Sequence, residues 1–251
     1  MDEGRMRQYA IYAVGEILLV VVGILIALQI NNWNEERKKD LMVSSHLKSL
    51  AKAIDHDIRE LSISMQFNES RFHFLDYLLK VSNIPLNNLH EIPRTEIFKE
   101  WHWIGPYPNS DTLHQQFVNW SMPHINTAFV GMVFDYSAIN EINNLGIMSE
   151  IDDDSLKTVI NEYYYHLDWR FGDQEVNRRY KLAEDLKNHL RDEHAISCTY
   201  PPDLPILIKA IKNDDKLVII LKELINVSFD QYWVAKRLQE RAIKLSETIK
   251  F

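Results

Sequence analysis

An apolar run near the start of the chain limits its possible folds more than any other feature. Residues 9–30 are apolar except for Gly15, Glu16 and Gln29. As a helix, this run would be roughly 33 Å long, close to the thickness of the hydrocarbon core of a bilayer. It is apolar on every face and lacks the polar stripe of a surface helix. We therefore predict a transmembrane helix over residues 9–30, preceded by an N-terminal tail, residues 1–8.

Two other interpretations of the run are a buried core helix and a cleaved signal peptide. The uninterrupted part, residues 17–28, is short enough for a helix buried in a soluble protein. No small-residue cleavage site follows the run, which disfavours a signal peptide. Amphipathic aromatic residues prefer the membrane–water interface. Tyr9 and Tyr12 at one end and Trp33 at the other are therefore expected to be interface anchors.

The rest of the chain has the composition of a helical protein. Only 7 Gly and 8 Pro occur in 251 residues, which disfavours a turn-rich β fold. Between residues 47 and 79, apolar side chains recur every three or four positions, and Asn68 is the one polar member of this stripe. The stripe fits packing within the chain, or a coiled coil between subunits in which Asn68 sets the register.

We therefore predict an all-α fold in which the membrane helix continues into a long stalk helix, residues 31–81. A helical extramembrane domain, residues 82–251, would complete an elongated bundle, with the last helix antiparallel to the stalk helix. The local signals predict short helices near residues 94–101, 110–119 and 204–212. They also predict a helix from about residue 126 to a stop at Gly146, an Asp-capped helix over 151–193 that Gly172 can bend, and a last helix over 214–249.

The N-terminal part of the chain carries a recognisable motif. Residues 9–39 read YAIYAVGEILLVVVGILIALQINNWNEERKK. This stretch resembles the N-terminal signature of a family of bacterial single-span membrane proteins of unknown function, from bacteria with two membranes. A weaker similarity covers residues 136–164. The resemblance implies location and architecture rather than a reaction.

Membrane orientation is indicated differently by two signals. Lysine and arginine are more frequent after the run, at Arg37, Lys38 and Lys39, than before it, at Arg5 and Arg7. The count alone would place the C-terminal side in the cytoplasm. The resemblance implies the opposite, an inner-membrane protein with its large domain in the periplasm, and this is the orientation we predict. Members of the family usually carry a longer basic segment before the span.

Small residues define one face of the predicted membrane helix. Gly15, Leu19, Gly23 and Ala27 recur every four positions, and Glu16 lies beside them. Small residues let membrane helices approach closely, so we expect a homo-oligomer that packs through this face. A carboxylate among lipid tails must be protonated, reach water or meet a partner. Glu16 can be hydrated near the boundary or can lie in the oligomer interface.

No motif of a catalytic or metal site is present. None of the 10 His has a partner at i+3 or i+4, and Cys198 is the single cysteine. The sequence has neither a nucleophile elbow nor a Gly-rich phosphate loop. We therefore predict no catalytic residue, no metal and no cofactor. The net charge of −8 argues against nucleic acid as a partner.

Aromatic residues cluster more than charges do, and they can fill the core or form a patch for a ligand or protein partner. The five residues of this candidate partner patch are Trp101, Trp103, Tyr107, Trp120 and Tyr164.

The predicted function is that of a non-enzymatic, single-span scaffold or subunit of an envelope complex. Its expected partners are the lipid bilayer, further copies of itself and another envelope protein. One alternative is an accessory or pore-forming subunit of a channel or transporter that uses Glu16. Another is a receptor-like sensor, in which a ligand shifts helix packing. An enzyme would require His, Asp and Glu side chains to converge in the folded domain.

Overall fold

The computed structural model describes residues 3–86, 91–93, 114–125 and 132–250, with only the backbone given for residues 3–13, His114 and His124. Every regular element in these ranges is a helix, so the all-α prediction is confirmed. The predicted helix at residues 94–101 lies outside them. The helices are α1 (Glu3–Val81), α2 (His114–Ser121), α3 (Ser137–Asn144), α4 (Ile147–Glu150), α5 (Asp154–Phe171), α6 (Asp173–His194), α7 (Leu204–Lys212) and α8 (Asp215–Lys250), with a 3₁₀ turn, Met122–His124, after α2.

Helix α1 runs without a break from the apolar segment through the predicted stalk helix. Its end is closed by Asn83, whose φ of 58° lies in the left-handed region. The N–H of Ile84 donates to the carbonyl of Leu79 at 2.9 Å, and that of Asn83 donates to Lys80 at 3.0 Å. This Schellman-type closure satisfies carbonyls of the last turn, and Pro85 follows, where a helix cannot easily continue.

The chain divides into two compact units, to both of which α1 contributes. One unit comprises Met1–Leu50 and Ala138–Asp152, and the other comprises Ala51–Ser137 and Asp153–Phe251. In the first unit, Leu50, Ile142 and Ile147 are fully or almost fully buried. The ammonium group of Lys39 lies 3.0 Å from the carboxylate of Glu150. The ion pair links α1 to the end of α4.

The second unit holds the large hydrophobic core. Helix α8 runs antiparallel to the part of α1 that belongs to this unit, as predicted. Lys250 lies 2.9 Å from Asp55 near one end, Gln239 donates to Ser62 Oγ at 2.8 Å, and the rings of Phe72 and Phe229 are 6.4 Å apart. Helices α5, α6 and α7 also pack against α8.

The apolar stripe of α1 faces this core. Leu61, Leu75 and Leu79 are fully buried. Asn68 is also buried, with its amide donating to the carbonyl of Ser64 at 2.8 Å and its oxygen accepting from Arg71 at 3.2 Å. The stripe therefore packs within the chain, and Asn68 has its partners there.

Two predicted helix boundaries need correction. The helix expected from residue 126 begins only at Ser137, because residues 132–136 are irregular and residues 126–131 lie outside the described ranges. The helix expected over 151–193 is two helices, with Gly172 between them. A Cβ at Gly172 would lie 2.4 Å from the carbonyl oxygen of Asp168, so only glycine fits this close approach.

Asp153 is the N-cap of α5, where the sequence predicts an Asp-capped helix start, and substitution at this position tests the cap. Its carboxylate accepts from the N–H groups of Ser155 at 2.8 Å and Leu156 at 3.1 Å. We expect Asp153→Ala to lower the free energy of unfolding and the Tm, because these N–H groups lose their acceptor. Thermal unfolding of the detergent-solubilised chain, followed by circular dichroism, measures the change.

Asp153→Asn is the matched control for this cap. The amide oxygen of asparagine can accept the same hydrogen bonds, so this variant should unfold close to the wild type. Equal destabilisation by Ala and Asn would contradict the capping role.

Candidate functional site

The apolar segment of α1, residues 14–30, is exposed on all sides in the single chain. Its most apolar window has a mean hydropathy of 2.2, and none of that window is buried. The large apolar side chains range from 45% exposed at Val21 to 77% exposed at Leu19. By its length and composition, this helix can cross a membrane. It is the one helix of this kind among the described residues.

The predicted oligomer face lies along this segment. Spacing by four places Gly15, Leu19, Gly23 and Ala27 along one side of α1. A Cβ added at Gly15 or Gly23 would meet no described atom within 4 Å. Packing inside the single chain therefore gives no steric reason for glycine at either position.

The other residues singled out in this region are placed as follows. Glu16 is exposed in the single chain, next to Gly15. Trp33 is 63% exposed, beyond the C-terminal end of the apolar segment. The side chains of Tyr9 and Tyr12 lie outside the described part of the structure.

The predicted aromatic patch is described only in part. Trp101, Trp103 and Tyr107 lie outside the described ranges, and Trp120 is 37% exposed on α2. Tyr164 is only 7% exposed, and its ring lies 5.0 Å from that of Tyr163. This corrects the placement of Tyr164 on a surface, since its ring belongs to the core. Of the three successive tyrosines, Tyr165 faces solvent.

A groove between α5 and α8 is lined by several cationic side chains. His166, Trp169 and Arg170 of α5, with Arg237 and Arg241 of α8, line a cavity of about 180 Å³ that we call the arginine groove. The guanidinium of Arg170 lies 4.2 Å from the centre of the Trp169 ring, a cation–π contact. No local sequence pattern predicts that the arginines of α8 lie beside Trp169.

The arginine groove is locally positive on an acidic chain. Arg170 has a distant ion pair with Asp230, 3.8 Å away. Within the described ranges, neither Arg237 nor Arg241 has an ion-pair partner. A neighbouring cavity of about 420 Å³ shares Arg241 and adds Lys244. Guanidinium groups bind carboxylate and phosphate oxygens with two hydrogen bonds, so the groove can accept an anionic group.

A buried carboxyl group lies inside the second unit. Asp57 has no exposed surface. Its oxygens accept from the N–H of Asp135 at 2.9 Å and from the hydroxyl of Tyr163 at 3.1 Å. Burial raises the pKa of Asp57 from 3.8 to about 6, although these two hydrogen bonds and the charge of His56 act in the opposite direction.

Asp57 was missed by the sequence analysis, although a signal exists. Position 57 is three residues after Ile54 and four before Leu61, so its side chain lies on the buried stripe of α1. Its hydrogen-bond donors are Asp135 and Tyr163, and no local sequence pattern predicts that these residues contact Asp57.

The raised pKa of Asp57 predicts a pH dependence of stability. Because the folded-state pKa exceeds the unfolded value, the protonated group favours folding below pH 4, and this contribution is lost as the pH rises through about 6. Asp57→Asn removes the titration. The variant should therefore gain up to about 2 kcal/mol of unfolding free energy relative to the wild type between pH 4 and pH 7.

Denaturant unfolding of both proteins at several pH values measures this difference. Other titrating groups are common to the two chains and cancel in the comparison. A difference that stays constant with pH would contradict the raised pKa.

No curated protein and no solved structure matches the chain. One comparison found a match, in the N-terminal part. The model of a family of unknown function, DUF6090, matches residues 16–90, which cover most of the apolar segment and the rest of α1.

Proposed function

We propose that this protein is a single-span protein of the bacterial inner membrane whose large domain lies in the periplasm. It acts without catalysis, as an oligomeric scaffold or subunit of an envelope complex. Segment 14–30 of α1 spans the bilayer, and the helical unit with the large core binds a protein partner.

The observation that carries this proposal is the exposure of the apolar segment. A soluble monomer rarely exposes a contiguous apolar patch of more than a few hundred Å². Here every described side chain from Val14 to Ile30 is exposed, and most are Leu, Ile or Val. Lipid tails satisfy this surface, and a helix can enter them because its backbone polar groups are bonded internally.

Self-association is supported by the two glycines of the segment. Glycine in a helix is less stable than alanine by roughly 0.5–1 kcal/mol. Among the described residues, no atom lies within 4 Å of a Cβ placed at Gly15 or Gly23. Close contact with a second membrane helix explains both glycines, because small residues let two backbones approach.

The arginine groove supports a role in binding. Arg237 and Arg241 have no ion-pair partner among the described residues, and beside exposed Trp169 they suit an acidic segment of a partner protein. Arginine and tryptophan are the residue types that contribute most to protein interfaces. We expect the partner to present carboxylate groups to this groove.

Membrane integration is tested by charging the apolar segment. We expect the wild-type chain to stay in the membrane pellet after alkaline carbonate extraction. The double variant Val20→Arg with Ile24→Arg should be released into the supernatant, because each arginine near the helix centre costs about 2.5–3.5 kcal/mol of insertion free energy.

The matched control places the same charges on α8, at exposed Glu240 and Glu247. Glu240→Arg with Glu247→Arg should remain in the pellet. Release of the wild-type chain by carbonate would refute the membrane assignment.

Oligomer formation is tested at Gly23. Gly23→Ile places a branched side chain on the small-residue face, so we expect self-association in detergent to weaken at least tenfold. Val22→Ile places the same isoleucine side chain on another side of the helix and should leave association unchanged. Analytical ultracentrifugation in a density-matched detergent measures both variants, and an unchanged oligomer in Gly23→Ile would rule out this face.

A further inference from the structure

Three side chains that are far apart in sequence meet between the end of α6 and the start of α8. The Nε2 atoms of His189 and His194 lie 2.6 Å and 2.7 Å from the same oxygen, Oδ2 of Asp214. The side chains are largely buried, with 8%, 19% and 17% of their surfaces exposed, respectively. One atom from each residue lies within 4.8 Å of the other two, as in a set of metal ligands.

The local fold holds each of these residues in place. His194 is the last residue of α6, and Ala195 then turns the chain with a left-handed φ of 54°. Asp214 precedes α8, and its other oxygen, Oδ1, accepts from the N–H of Leu217 at 3.0 Å. Asp214 therefore caps α8 with one oxygen and presents the other to both imidazoles.

The carboxylate of Asp214 carries a negative charge at neutral pH. Burial raises its pKa, but the Leu217 N–H and the two histidines outweigh burial and hold the pKa well below its ordinary value of 3.8. A charged oxygen and two imidazole nitrogens form an N₂O donor set, which suits zinc and related first-row metals.

The distances fit such an ion after a small movement. Ligand atoms bound to a tetrahedral zinc ion at 2.0–2.1 Å are roughly 3.4 Å apart. Each histidine would move away from Oδ2 by roughly 0.7 Å, and the ion would replace the hydrogen bonds that now join the three groups. The N–H of Leu217 already orients the carboxylate, as outer-shell hydrogen bonds do in metal sites.

We propose that His189, His194 and Asp214 bind a divalent transition-metal ion, with zinc as the best fit. The ion takes two nitrogen ligands and one oxygen ligand from the chain, and the partial exposure of the site leaves a fourth position for water. Bound in this way, the metal joins the end of α6 to the start of α8. The site is independent of membrane integration and of the arginine groove.

The test uses the full chain in detergent, purified without a polyhistidine tag and stripped of metals with a chelator. Titration with Zn²⁺ in a calorimeter should show one ion per chain. At a free zinc concentration about 100 times the Kd, the Tm should rise by roughly 5 °C, and the chelator should reverse the rise.

Three variants locate the binding. Asp214→Asn keeps the helix cap, because Asn also caps well, but it lacks the anionic ligand. It should fold like the wild type without metal and bind zinc at least tenfold more weakly, as should His194→Ala. His166→Ala removes a histidine of α5 and should bind zinc like the wild type.

Two results would overturn the proposal. One is the absence of stoichiometric zinc binding by the wild-type chain. The other is zinc affinity that persists in Asp214→Asn and His194→Ala, or that falls in His166→Ala, since the ion would then bind elsewhere. Neither result depends on whether the chain spans a membrane.

Discussion

The pairing of α1 with α8 is the interaction on which the larger unit depends. The two helices lie antiparallel, and polar contacts at Asp55 and Ser62 fix their register. Between these contacts and the far end of α1, leucine and phenylalanine side chains fill a shared core. Helices α5, α6 and α7 then pack on α8. The arginine groove lies between α5 and α8, and the His189–His194–Asp214 cluster lies between the end of α6 and the start of α8.

Features confined to one element could be predicted from the sequence. The helix α7 has the predicted bounds, and Asp153 and Gly146 mark a cap and a left-handed turn as expected. Each depends on chemistry within a few residues, which the sequence shows directly. The unbroken α1 was predictable because neither Gly nor Pro occurs between the apolar segment and Pro85.

Features that join distant residues could not be predicted in this way. Gly172 was expected to bend one helix; that it separates two helices depends on its close approach to the Asp168 carbonyl, which helical periodicity does not report. Asp57 meets Tyr163, and His189 meets Asp214, only after the helices have packed. The spacing of His189 and His194 by five residues argued against a metal site, because that criterion considers ligands on one helix and not Asp214, which precedes α8. Tyr164 was assigned to the candidate partner patch, but it is buried. Its burial depends on packing partners outside α5, such as Tyr136.

The order of segments along the chain has a consequence for biosynthesis. Each compact unit is assembled from two separate stretches, and residues 138–152 of one interrupt the sequence of the other. Asp55 finds its partner Lys250 only after a further 195 residues have been synthesised. The side of the α1 stripe that packs on α8 therefore stays uncovered until α8 has left the ribosome. Such late closure of long-range contacts makes folding slow and exposes the nascent chain to aggregation.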